Sequence, residues 1–137
     1  MNDSKLKIPK AVIAIVDDDS SVRESTQLLL RSAGYRAEIF ASAQEFLDSV
    51  RHSEAACLIL DVFMPGMDGL ELQRRLNEAQ QQIPIIFITA HATENEEQRA
   101  RKAGALDFLR KPVNDEELLG VIQTALKGKG NNERTVQ

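Results

Sequence analysis

The sequence predicts an α/β fold in which a parallel sheet is covered by helices on both faces. Three observations carry this. Five short apolar runs alternate with segments of helical period, the pattern of consecutive βα units. The runs are nearly unbroken, as in Ala11-Val12-Ile13-Ala14-Ile15-Val16, which strands buried on both faces require. Four of them end on charged or hydroxylic residues: Asp17 and Asp18, Asp61, Thr89 and Lys111. Right-handed crossovers between parallel strands then put helices on both sides of the sheet.

Taken in order, β1 is expected at 11–16 and α1 at 20–33. Val22, Thr26, Leu29, Leu30 and Ala33 form one stripe of α1. Gly34 ends it, as a residue tolerant of positive φ. β2 follows at 36–40 and α2 at 43–51, with Ser42 and Glu45 at capping-box spacing. β3 is expected at 56–61 and α3 at 67–79, after a tight turn carrying Gly66 and Gly69. β4 at 84–89, α4 at 93–103, β5 at 106–109 and α5 at 115–127 complete the series. Asn114 and Glu117 repeat the capping spacing before α5, whose stripe is Leu118, Val121, Ile122 and Ala125. Residues 1–9 and 128–137 read as tails, the latter as the start of a linker, around one domain at 10–127.

The totals narrow the class. A length of 137 residues fits one domain, and 42% hydrophobic with 28% charged residues is ordinary for a globular protein. A net charge of −4 offers no basic face for nucleic acid. Cys57, the one cysteine, lies inside an apolar run and cannot form an internal disulfide. No apolar stretch has the length of a membrane span, and the first ten residues are too polar for a signal peptide. A cytoplasmic protein without a membrane partner is the expectation.

The strand-end residues define a chemistry. In an open parallel sheet, ligands bind beyond the carboxyl ends of the strands. Three carboxylates, a hydroxyl and an ammonium should therefore meet at one edge. An aspartate can attack phosphorus and form an acyl phosphate, and Asp61 is the candidate nucleophile. Two such carboxylates about 4 Å apart repel by roughly 4 kcal/mol at an effective dielectric of 20. A divalent cation and Lys111 would offset that. Mg²⁺, which prefers oxygen ligands and keeps several waters, suits the site, with Mn²⁺ as a substitute. Asp18 and Asp61 are candidate direct ligands, and Asp17 acts through water or by orienting the others. Pro112 holds Lys111 in extended geometry, and a cis bond there would fix its aim. Taken singly, each residue has a plainer reading: Asp17 to Asp19 as a helix-capping run, with Asp19 the cap, Lys111 as a solvated lysine, Thr89 as a strand end, Cys57 as a small buried hydrophobe, and His52 and His91 as loop residues.

Together these pieces identify a resemblance. Ile15-Val16-Asp17-Asp18-Asp19, Asp61-Val62-Phe63-Met64-Pro65-Gly66-Met67-Asp68-Gly69-Leu70, Thr89-Ala90 and Phe108-Leu109-Arg110-Lys111-Pro112 occur in this order. The chain resembles a response-regulator receiver domain of bacterial two-component signalling over about residues 10–127. The Met-Pro-Gly-Met-Asp-Gly stretch and the run 103–108 are similar to receivers joined to LuxR-type helix-turn-helix domains. The resemblance implies a flavodoxin-like, doubly wound, five-stranded parallel sheet of order 2-1-3-4-5 with five helices. It implies that Asp61 accepts phosphoryl from a sensor histidine kinase or a small phosphodonor. Asp17, Asp18 and the main-chain carbonyl of Phe63 would join Asp61 around Mg²⁺. Lys111 would pair with the phosphoryl group, Thr89 would move toward it, and Phe108 would swing in behind Thr89. The altered α4-β5-α5 face would bind a partner or form a homodimer, and DNA would be reached only through an output domain not contained in this chain.

Some positions depart from the family. Many receivers carry Tyr at the place of Phe108. The predicted α4 is almost entirely polar, so little should hold it down and an α4-α5 dimer is not expected to follow the family. Phe63 and His91 stand two residues after Asp61 and Thr89, beside the path of the hydrolytic water, and are candidate modulators of dephosphorylation. Other readings are a stand-alone phosphorelay or protein-binding receiver, or an aspartyl phosphatase. The last is disfavoured because position 63 is Phe rather than the acid of an Asp-x-Asp pair.

Overall fold

The computed structural model describes residues 11–131. The order is β1 (Val12–Val16), α1 (Ser20–Ser32), β2 (Arg36–Phe40), α2 (Ala43–Asp48), a short 3-10 turn (His52–Glu54), β3 (Cys57–Leu60), α3 (Gly69–Glu78), β4 (Ile85–Thr89), α4 (Glu94–Lys102), β5 (Asp107–Arg110) and α5 (Asp115–Asn131). The strands form one parallel sheet in the order β2-β1-β3-β4-β5, as the resemblance implies. The tail expected at 1–9 and residues 132–137 of the tail expected at 128–137 lie outside the described residues, and α5 runs through 128–131, four residues past its expected end at 127.

Strand periodicity divides the core into two layers. Successive side chains of a strand point to opposite faces. Thus Ala14, Val16, Leu58, Leu60 and Phe87 face α2, α3 and α4, where Phe46, Leu72, Leu76 and Ala100 meet them. Ile13, Ile15, Cys57, Ile59, Ile86 and Ile88 face α1 and α5, where Leu30, Leu118, Ile122 and Ala125 meet them. Because both faces are covered, β3 and β4 are buried at every position, which explains runs with no polar alternation.

Helix ends follow local chemistry. Asp19 caps α1, its side chain accepting from the amides of Ser21 and Val22, and Gly34 takes φ +95° beyond it. Ala33, expected on the buried stripe, is exposed beside that turn. The expected α2 is too long by three residues. Phe46 and Leu47 are its last packed residues, whereas Val50 is 93% exposed, so nothing rewards further helix. His52, expected in a solvated loop, is half-buried with its ring edge-on to Phe46 at 5.4 Å. α3 starts at Gly69 rather than 67, because Asp68 takes the cap and accepts from the Glu71 amide. Asn114 caps α5, accepting from the Glu117 amide at 3.0 Å.

α4 departs most from expectation. It buries Ala100 and little else, yet polar bonds seat it. Gln73 in α3 donates its side-chain amide to the Ala100 carbonyl at 3.0 Å, and Asn77 donates to the Ala103 carbonyl. Arg110 and Asp107 of β5 pair with Glu97 and Arg101. Thr93 and Glu96 close a capping box at the start. Among the described residues no helix is long and apolar enough to cross a membrane.

Candidate functional site

The carboxyl edge of the sheet gathers the expected acids. Asp17 leaves β1 with its amide donating to the Phe40 carbonyl, and Asp61 leaves β3 with its amide donating to the Val16 carbonyl at 3.1 Å. These ladder bonds fix where each side chain starts. Asp17, Asp18 and Asp61 offer carboxylate oxygens within 4.8 Å of one another. Asp17 and Asp61 are buried and Asp18 is exposed, so the cluster is open on the Asp18 side.

Lys111 binds the two buried acids together. Its Nζ donates to Asp17 Oδ2 at 3.1 Å and to Asp61 Oδ2 at 3.3 Å. The Lys111 amide donates to the Thr89 carbonyl, so β4 fixes its stem, and the Lys111–Pro112 peptide is cis. The remaining oxygens also have donors: the Asp19 amide reaches Asp17 Oδ1 at 2.9 Å and the Phe63 amide reaches Asp61 Oδ1 at 3.2 Å. Burial pushes the Asp17 carboxyl above its ordinary range, against the Asp19 amide and Lys111. Burial works against the Lys111 charge, but the bond to Asp17 and the attraction of both carboxylates outweigh it and hold its pKa above the ordinary lysine value.

The hydroxyl is in place as well. β3 and β4 pair with Leu60 opposite Phe87, so Thr89 ends its strand one step beyond the level of Asp61. Its side-chain oxygen is fully buried and has no hydrogen-bond partner among the described residues. A buried hydroxyl without a partner costs stability, which makes Thr89 a donor waiting for an acceptor. Phe108 is buried against Phe87, ring centroids 5.7 Å apart. Phe63 and His91 lie on the loops after β3 and β4 with exposed side chains, Phe63 at 43%.

Three supporting features carried no clear sequence signal. Arg23 of α1 donates to the Asp17 main-chain carbonyl at 2.8 Å, and no short-range pattern announces a contact across that turn. Gly69 reads in the sequence as a turn residue, but its role is contact: its amide donates to the Val62 carbonyl at 2.8 Å, and a Cβ there would overlap the Asp61 carbonyl. Arg110, adjacent to Lys111, donates to the Ala92 carbonyl and pairs with Glu97. A cavity of about 510 Å³ opens between α1 and α5, lined by Val22, Leu29 and Val113, with Asp17, Asp61 and Lys111 at its wall.

Chemically, the cluster is an all-oxygen donor set beside one fixed cation. Such a set suits a small hard divalent ion. The excess negative charge suits that ion, and the ion, the Lys111 ammonium and the unpartnered Thr89 hydroxyl together suit a phosphoryl group.

Comparison with known proteins points to one family. The family described as the response regulator receiver domain matches residues 13–123. Response regulator protein TmoT of Ectopseudomonas mendocina is 50% identical over 127 residues, covering 93% of this chain and 56% of that protein. Response regulator protein TodT of Pseudomonas putida is 52% identical over 117 residues, covering 85% of this chain and 52% of that protein. The chain thus spans about half the length of these curated relatives. Among solved structures, response regulator StyR superposes with a TM-score of 0.83 at 44% identity, over 93% of this chain and 64% of that one.

Two outcomes follow from the geometry. Gly69→Ala should destabilise the protein by about 1–3 kcal/mol, as overpacking does, and should weaken Mg²⁺ binding by displacing the Asp61 backbone; urea unfolding and a metal titration check both. Asp17 holds its proton more tightly in the folded chain than its ordinary value of 3.8 implies, so its ionised form costs stability above that raised pKa, and the cost fades as pH falls through it. In metal-free buffer at neutral pH, Asp17→Asn should raise Tm by roughly 2–4 °C, with the gain shrinking as the buffer is acidified through that window.

Proposed function

The chain belongs to the response regulator receiver domain family, and we propose that it works as a phosphoacceptor switch with Asp61 as the acceptor. The observation that carries this reading is the Lys111 ammonium shared by Asp17 and Asp61, set beside the unsatisfied Thr89 hydroxyl. The phosphodonor is a sensor histidine kinase, presenting a phosphohistidine. An Asp61 carboxylate oxygen forms a bond to phosphorus as the P–N bond breaks, and the electron pair leaves with the imidazole, which takes up a proton. Asp17, Asp18, Asp61 and the Phe63 carbonyl would hold Mg²⁺, with Mn²⁺ as a substitute. The bound cation supplies charge neutralisation for the incoming anion.

The chain's own groups do the rest. Lys111 passes one of its donors to a phosphoryl oxygen, keeping its charge beside the acyl phosphate. Thr89 donates its hydroxyl to a second oxygen and so gains the partner it lacks. Phe108, already packed on Phe87, occupies the space behind Thr89. This is a local charge event that biases a two-state element, read out on the α4-β5-α5 face by a partner or a second copy. Any contact with DNA is made through an output domain, and the protein acts in the cytoplasm.

Phe63 and His91 flank the route of water to the acyl phosphate. The exposed Phe63 ring, two residues from Asp61, restricts that route and prolongs the phosphorylated state.

The experiment is incubation with a small phosphodonor such as acetyl phosphate. A gain of one acid-stable, base-labile phosphoryl group, Mg²⁺-dependent and abolished in Asp61→Asn, is the expected result; modification that persists in Asp61→Asn overturns it. In the same assay Phe63→Asn should shorten the half-life of the phosphorylated form, and an unchanged half-life removes Phe63 from this role.

A further inference from the structure

Resting on the phosphoacceptor reading, we propose that Arg110 is a positioning residue that ties the segment after Thr89 to α4, and that its grip opposes the phosphoryl-bound arrangement. One guanidinium makes three attachments. Nη1 donates to the Ala92 carbonyl at 2.7 Å, and Nη2 pairs with Glu97 Oε1 at 2.9 Å. The same group lies over the Phe108 ring, 5.6 Å from its centroid. Its backbone is in register with Thr89 on the neighbouring strand. A planar fork with fixed donor directions serves this better than a lysine would.

The location gives the grip its consequence. Thr89 needs an acceptor for its buried hydroxyl, and on the phosphoacceptor reading it moves toward a phosphoryl oxygen on Asp61. Ala92 is three residues downstream, and its carbonyl is held by Arg110. Movement of that short segment therefore strains or breaks the bond. α4 feels the change through Glu97, which Arg101 also holds. With Ala100 as its buried side chain, α4 has little apolar anchorage to keep it in place once those bonds loosen. Contacts present only without the phosphoryl group lower affinity for it, by linkage.

The test uses beryllofluoride with Mg²⁺ as the phosphoryl probe, on the intact chain. Arg110→Ala should bind the probe about three- to tenfold more tightly than wild type, the range expected for losing one charged hydrogen bond and a partly exposed ion pair. Amides of Glu94–Lys102 should exchange faster in the probe-free variant. Glu97→Gln should act in the same direction to a smaller extent, while Arg51→Ala, which breaks an ion pair with Glu54 elsewhere, should change neither readout. A merely structural role would weaken probe binding, so unchanged or weaker affinity in Arg110→Ala overturns the coupling, as does unaltered α4 exchange. Wild type that fails to bind beryllofluoride with Mg²⁺ overturns the phosphoacceptor reading and this coupling with it; binding by wild type with an unaffected Arg110→Ala overturns the coupling alone.

Discussion

A single ammonium group holds the working end of this molecule together. Lys111 stands 3.1 Å from one buried carboxylate and 3.3 Å from another, and the two acids belong to adjacent strands. Without that cation, two partly desolvated negative charges would face each other, with Asp18 adding a third. Like charges in such a setting repel by several kcal/mol, and the loops carrying them would splay. The arrangement is therefore stable only while some cation sits among the acids. That dependence is also what makes the site responsive, since a charge held by exchangeable partners can be handed from one to another.

The sheet supplies the precision. Its strands are all parallel and covered on both faces, so the side chains just past their carboxyl ends emerge from a rigid edge. Asp17, Asp61 and Thr89 are set by ladder register rather than by loop conformation. Loops refine the result at a few points. Arg23 pins the Asp17 carbonyl, and Gly69 lets α3 begin in contact with the backbone of Asp61.

The strands, their number and the acidic edge were legible in the sequence because each depends on a local pattern: an apolar run, and the polar residue that stops it. Asp19 and Asn114 were legible as caps for the same reason. What stayed hidden depends on contacts between residues distant in the chain. The seating of α4 is the clearest case. A polar helix reads as loosely held when apolar spacing is the only guide, whereas Gln73 reaches across 27 residues to the Ala100 carbonyl. Arg110 next to Lys111 looks like another surface cation until the fold places the Ala92 carbonyl in front of it. α2 ends earlier than its apolar spacing implies because Val50 continues a pattern that the folded chain leaves in solvent.

α4 has an unusual thermodynamic character as a result. A helix seated by buried leucines and isoleucines uncovers hydrocarbon when it lifts away, and so carries a large heat-capacity increment and a surface that adheres to other molecules. α4 would uncover Ala100 and a set of amide and charged groups that water solvates well. On its own side, therefore, α4 contributes little hydrocarbon to the heat-capacity change of such a movement, and the groups that seat it are ones that water readily rehydrates.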